Sequence, residues 1–238
     1  MKLDVGNKTI LAVAAHADDL DFGCAGSIAA WVKEGANIHY LILTDGSKGS
    51  DDMSLSSEEL SKLRQEEQSK AAKILGVRKV HFANFVDGEL INSEEVRYWI
   101  VRLIRQLKPD IVLTMDPTFV YTEEFGFVNH PDHRNAGQAT LDAVYPYARN
   151  ARTFPDLLKE GLKPHVVREI LLINFLKSNF TVDITTTFDQ KIRALKEHKS
   201  QIINFDKFEE MMKKRAKMTA GKSGMKYAEN FVRISLGR

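Results

Sequence analysis

Four short apolar runs, separated by helix-patterned segments, most constrain what this chain can fold into. The first, Thr9-Ile10-Leu11-Ala12-Val13-Ala14, shows no polar alternation, as expected of a strand buried on both faces. Residues 37–44, 79–83 and 110–115 repeat the pattern. Between them the apolar spacing turns helical: from Ile28 onward, over 55–75, and over 94–107. Ser57 with Glu58-Glu59-Leu60 opens the second helix, Gly76 stops it, and Pro109 ends the third. Along 94–107, Val96, Trp99, Ile100, Leu103, Ile104 and Leu107 form a stripe expected to be buried. Strand alternating with helix implies a mostly parallel sheet joined by right-handed crossovers.

Later residues extend that frame. Residues 167–175 and 180–184 read as two more strands, expected as antiparallel additions, and Thr186-Thr187-Phe188-Asp189 introduces a helix through Leu195. From 207 to 238 the chain carries nine Lys/Arg and three Glu, with Met211, Met212, Met218 and Met225 interspersed. An anionic surface or a second subunit would suit that charge. A partly solvated helix with its methionines packed on the domain accounts for it more simply. The expected fold class is α/β: a Rossmann-like, mostly parallel sheet flanked by helices, with additional C-terminal strands and helices. At 238 residues a single domain over 1–238 is expected.

Composition excludes several function classes. A net charge of +2 gives no reason to propose nucleic acid. A single cysteine, Cys24, rules out an internal disulfide framework and suits a reducing compartment. Its small, Gly-flanked setting reads as a packed core thiol. Neither a secretory leader nor a span-length apolar stretch is legible, so a cytoplasmic protein with no membrane span is expected.

Chemistry concentrates where two apolar runs give way to loops. The first ends in Ala15-His16-Ala17-Asp18-Asp19, at the carboxyl end of a strand, where open α/β sheets place their functional crevice. Neutral imidazole and carboxylate are ligands that zinc accepts. Helix capping by Asp18 and Asp19 would place the same residues here. The fourth run leads through Asp116-Pro117 into a long loop with Phe119, Tyr121, Phe125 and Phe127, of the kind that serves as a lid. That loop ends in Asn129-His130-Pro131-Asp132-His133-Arg134, before a helix expected to begin near Asn135. Either cluster alone is compatible with capping. Together they point to two His and one carboxylate on one ion, with open positions for water and substrate, the usual form of a hydrolytic zinc centre. Two further Asp and one further His are left to serve as base, orienting partner and acid. The loop from Asp45 to Ser50 has the flexibility to approach a ligand but neither Walker spacing nor a dinucleotide fingerprint. Arg64, Glu67 and Lys70 read as a solvated, salt-bridged helix face.

These motifs, in this order, resemble the PIG-L/LmbE-like family of zinc-dependent de-N-acetylases. Supporting segments are Thr44-Asp45-Gly46, Arg64-x-x-Glu67 with Ala71-Ala72 and Leu75-Gly76, His198-Lys199-Ser200-Gln201, and Tyr227-Ala228-Glu229-Asn230-Phe231. Ala17 stands where many members have Pro. The resemblance implies that His16, Asp19 and His133 bind Zn2+, with another divalent metal such as Fe2+ compatible. It implies Asp18 as general base and His130, oriented by Asp132, as oxyanion donor or acid. Arg64 and His198 match positions that approach the substrate or support the site, and Tyr121 is the lid residue expected to assist the oxyanion. The implied activity is hydrolytic removal of an acetyl group from an N-acetylglucosamine-type conjugate by metal-activated water.

Other readings stay open on the sequence. The same site would serve an amidase acting on another conjugate. An iron(II) oxygenase also uses two His and one carboxylate, although the spare Asp beside each cluster suits hydrolysis better. A non-catalytic Rossmann-like binding protein is the third, and the glycine fingerprint that would favour it is absent. The expected partner is a small amidosugar, with selectivity set by the lid (118–129) and the 46–52 loop; a homo-oligomer is compatible.

Overall fold

A computed structural model describes residues 3–123 and 126–237. Phe125, expected in the lid, lies outside the described residues. The four apolar runs are β1 (Thr9–Ala14), β2 (Asn37–Thr44), β3 (Lys79–Phe85) and β4 (Ile111–Met115). With β7 (Glu169–Ile173), β8 (Phe180–Asp183) and β9 (Ala228–Ser235) they build one sheet in the order β3-β2-β1-β4-β7-β9-β8. The first five strands in that order are mutually parallel, while β9 runs antiparallel to both β7 and β8.

Two expectations about the C-terminal part are corrected here. The 167–175 run is not an antiparallel addition: β7 pairs parallel with β4, in register Leu113 with Leu171. The 207–238 segment, expected as a partly solvated helix, is helical only to Ala220, and Ala228–Ser235 form a full strand, β9, slotted between β7 and β8. Arg233 in β9 interrupts an apolar reading, and it is neutralised by Glu169 across the pair at 3.0 Å.

Strand alternation sends alternate side chains to two cores. Ile10, Ala12 and Ala14 of β1 face α1 (Asp19–Lys33), α2 (Ser57–Leu75) and α6 (Phe188–Leu195). Leu11 and Val13 face α3 (Glu94–Leu107) and α4 (Pro131–Asp142). The α2 cap is Ser56 rather than Ser57: its hydroxyl accepts from Glu59 N while Glu59 reaches back to Ser56 N, a reciprocal capping box. On α3 the predicted stripe is buried at Val96, Ile100, Leu103 and Ile104, but Trp99 is at the surface and Val101 takes an inward place. The C-terminal basic segment is α7 (Phe205–Ala220) and β9; of its methionines only Met212 is buried, while Met211 and Met218 are exposed. Two short strands, β5 (Tyr121–Thr122) and β6 (Phe127–Val128), make the lid a small hairpin, and a short helix, α5 (Pro155–Lys159), follows α4. Among the described residues no helix is long and apolar enough to cross a membrane.

The sheet order reverses direction between β1 and β4. Loops leaving neighbouring strands at such a point part to opposite sides and open a crevice. Both His/Asp clusters follow these two strands.

Candidate metal centre

The β1 cluster is positioned by an abrupt turn. Asp18 takes φ +97, a conformation costly for any residue with a Cβ, and Gln68 Oε1 accepts its backbone N–H at 2.9 Å. The helix then starts at once, at Asp19, nine residues before the periodicity becomes visible at Ile28. Asp18 makes no side-chain cap bond. The carboxylate of Asp19 accepts from the backbone N–H of His16 at 2.8 Å, so it points back toward the strand end. Capping therefore does not explain either Asp.

The second cluster arrives on α4, which begins at Pro131 rather than near Asn135. Gly137 lets this helix lie against the end of β4; a Cβ there would sit 2.3 Å from the carbonyl oxygen of Met115. His130 does cap α4, its Nδ1 accepting from Asp132 N at 3.1 Å. That bond leaves the proton on Nε2, so the His130 ring keeps one donor while serving the helix.

Ligand atoms of three residues converge. His16 Nδ1 lies 3.2 Å from His133 Nε2, His133 Nε2 lies 3.0 Å from Asp19 Oδ1, and His16 Nδ1 lies 3.6 Å from Asp19 Oδ2. Ligand atoms about 2.0–2.1 Å from a tetrahedral zinc are roughly 3.3 Å apart, so this triangle fits one ion. Each imidazole is turned by its other nitrogen. Asn129 Oδ1 takes His133 Nδ1 at 3.0 Å, and Asp87 Oδ1 and Asp132 Oδ2 take His16 Nε2 at 3.1 and 3.3 Å. Such partners set the tautomer that exposes a lone pair to a metal. His16 also enters a second possible grouping with His130 and Asp132. There the Nε2 it would contribute already faces two carboxylates, so the His16–Asp19–His133 grouping is the better built of the two.

Charge supports the same reading. Asp18, Asp19, Asp87 and Asp132 crowd around Arg64 and three imidazoles. Burial opposes charge on His16, but hydrogen bonds to Asp132, Asp19 and Asp87 push its pKa up to about 12. A dication would take the place of that proton. Burial and the charge of Asp19 raise Asp18 to about 6. Burial, then the neighbouring His16, lowers His130, which favours its neutral form.

Several expected roles shift once the contacts are seen. The Asp132 carboxylate does not hydrogen-bond the His130 ring; it accepts from Gly88 N at 2.8 Å and holds His16. Arg64 is 4% exposed and donates to the carbonyls of Ala17 and Gly46 at 2.9 and 3.1 Å, so it braces the two loops from beneath. His198 is 1% exposed and bonds Asp21 Oδ2 at 2.8 Å. Gln68 Nε2 donates to the same oxygen, so His198 and Asp21 support Asp18 through Gln68. Glu67 is likewise buried, accepting from Ser200 N and Oγ, and only Lys70 keeps the solvated position expected for that face. Cys24 is buried as a core thiol. Tyr121 is 60% exposed on the hairpin and has no hydrogen bond to the cluster among the described residues. Asp87, Gln68, Asp21 and Asn129 were not singled out from the sequence. Only Asp87 carried a signal, as the acid just beyond the end of β3 on the crevice side of the sheet.

Known proteins share this fold. The PIG-L family, described as GlcNAc-PI de-N-acetylase, matches residues 11–144, which include both clusters. The diacetylchitobiose deacetylase of Thermococcus kodakarensis is 37% identical over 93% of this chain and 81% of its own length. A probable N-acetyl-alpha-D-glucosaminyl L-malate deacetylase of Bacillus anthracis is 26% identical over 74% of this chain and 83% of its own. The solved structure of the N,N'-diacetylchitobiose deacetylase from Pyrococcus horikoshii, complexed with its inhibitor, superposes with a TM-score of 0.88. It is 32% identical and covers 98% of this chain and 88% of that one. A family match over more than half of the chain, a relative above 30% identity along nearly all of it, and a shared fold lead to one conclusion: the chain belongs to the PIG-L family of de-N-acetylases.

Proposed function

We propose that this hydrolytic N-deacetylase removes the acetyl group from an N-acetylglucosamine-type conjugate, diacetylchitobiose being the first candidate, at a Zn2+ site held by His16, Asp19 and His133. The observation that carries the reading is the convergence of three pre-turned ligand atoms beside a carboxylate and an imidazole with other work to do. The named activity of the relative at 37% identity supports the substrate class. An ion bound there supplies positive charge for the amide oxygen and a water whose pKa falls to about 7.

Asp18 is suited to accept the proton of that water. It adjoins Asp19 in sequence, its backbone is held by Gln68, and its carboxylate lies 3.8 Å from Arg64, too far for a hydrogen bond that would occupy it. His130, with Nδ1 engaged by Asp132 N and Nε2–H left to donate, is suited to bond the developing oxyanion and to pass a proton to the departing amine. Asp87 and Asp132 hold His16 in its ligating tautomer.

The test pairs acetate release with metal content. Zinc-loaded protein is expected to release acetate from diacetylchitobiose or another N-acetylglucosaminyl conjugate in a panel, and chelation is expected to abolish release. Asp18→Asn should lower kcat about 10²–10⁴-fold with the metal retained. His133→Ala should lose the metal itself. Full activity in Asp18→Asn would remove it as the base, and turnover confined to non-sugar amides would move the protein to the amidase reading.

A further inference from the structure

One cation is held, among the described residues, only by ring faces. The guanidinium of Arg215, on α7, lies 3.6 Å from the ring centre of Phe175 and 4.7 Å from that of Phe22. It makes no hydrogen bond or ion pair with any other described residue. The carboxylate that acts on it, Glu229, is already bound by Lys191 and Ser27. Burial draws its pKa down to about 10, so it stays charged at neutral pH. A half-buried guanidinium in that position has a fork of N–H donors and no protein acceptor for them.

Its place in the fold links it to the metal centre from two sides. Phe22 is one turn along α1 from Asp19. The next residue, Gly23, admits Ile173 from β7; a Cβ there would lie 2.9 Å from the Ile173 Cδ1. Two residues beyond Ile173 stands Phe175, 41% exposed. From the lid, Phe119 meets Phe175 edge-on at 6.4 Å and stacks on Phe127 at 5.9 Å. The Phe119 carbonyl accepts from Asn129 Nδ2, the same side chain whose Oδ1 takes His133 Nδ1. A continuous row of contacts therefore runs from a metal-ligand candidate to Arg215.

We propose that this row is a second binding subsite, in which the guanidinium of Arg215, stacked on Phe175, donates from its free edge to the hydroxyl oxygens of the sugar ring linked to the deacetylated N-acetylglucosamine. The inference rests on the deacetylase reading above. A pyranose offers a rim of hydroxyl acceptors, which matches a donor fork held flat on an aromatic ring with no protein acceptor of its own.

The experiment is calorimetric titration of the metal-depleted protein, which binds without turning over, with diacetylchitobiose and with N-acetylglucosamine, alongside acetate-release kinetics of the zinc-loaded protein on both. Wild type should bind the disaccharide about tenfold or more tightly than the monosaccharide. In Arg215→Met, which keeps the packing over the rings, and in Phe175→Ala, the ratio of disaccharide to monosaccharide affinity and of kcat/KM should fall about tenfold. Phe175 is exposed, so its variant carries the test if Arg215→Met fails to fold. Variants that keep the wild-type ratio overturn the subsite. So does a larger affinity loss by Arg215→Met for a malate-linked glucosaminide than for the disaccharide, which would assign Arg215 to a carboxylate. Tighter disaccharide binding that both variants lose, without acetate release from either compound, upholds the subsite and overturns the deacetylase reading instead.

Discussion

Asp132 shows how a short motif can hide which residue depends on which. In His130-Pro131-Asp132-His133 the carboxylate stands between two imidazoles, and proximity in sequence suggests that it orients His130. Helical geometry sends it inward instead: it is fully buried, tied to Gly88 N, and grips a histidine 116 positions away. The consequence is testable by metal titration. Asp132→Asn should weaken metal affinity about 10–100-fold, because His16 loses a charged partner on Nε2. If the carboxylate served His130, metal affinity would stay at the wild-type value and only kcat would drop. Asp18 carries a related lesson. Its φ of +97 is a strain that the fold maintains through Arg64 on the Ala17 carbonyl and Gln68 on its own N–H. The strain aims the Asp18 and Asp19 carboxylates in different directions from adjacent positions, one to the ligand triangle and one beside it.

At the scale of elements, two joints outside the centre hold the sheet and helices in register. Glu229 of β9 accepts from Gly26 N, Ser27 N and Ser27 Oγ of α1 and from Lys191 Nζ of α6, the last at 2.5 Å. Lys191 and Glu229 are 2% and 6% exposed. Removing one partner strands a buried charge, so Lys191→Met should lower unfolding free energy by about 3–5 kcal/mol in urea titrations. A loss below about 1 kcal/mol would mean that Glu229 is satisfied by α1 alone. On β2 and β3, His39 Nδ1 and His81 Nε2 face each other at 3.3 Å with stacked rings. Burial, with help from Arg78 and Lys79, lowers the pKa of His39. Burial, with Lys79 and His39, lowers that of His81 to about 4. A folded-state pKa below the unfolded value means that the unfolded chain takes up the proton first. Stability from these two groups is therefore complete above pH 6.5 and lost as pH falls toward 4. The melting temperature should drop across that window, and less steeply in His81→Gln; parallel curves would refute the assignment.

For the whole molecule, the centre is a point where unlike loops are brought together by topology and kept there by charge. The loops after β1, β3 and β4 all contribute, and four carboxylates gather where protein cations are few. Binding a dication only in the folded state must then stabilise the fold by mass action. Removing metal with a chelator should lower the melting temperature by several degrees, and adding zinc back should restore it. His133→Ala should melt at the chelated wild-type temperature whether or not zinc is present. A wild type indifferent to chelation would show that the cluster is balanced without an ion.

What local pattern could determine, it did. Apolar runs such as 9–14 and 110–115 mark strands because burying both faces of a backbone ribbon demands uninterrupted apolar side chains. The two His/Asp motifs stand out because such residues at strand ends have no packing reason to be there. The direction of β7 and the existence of β9 were not legible, since pairing partners lie more than 50 residues apart and one strand carries an arginine toward a distant glutamate. Asp87, Gln68 and Asp21 were hidden for the same reason. Hydrogen bonds between residues far apart in the chain leave no periodic trace, and a lone Asp-Gly reads as a turn. The chain by itself thus determined which side chains have the chemistry. Tertiary structure alone decided which of their atoms point at one another, because a ligand triangle is a fact about distances that chain order does not contain.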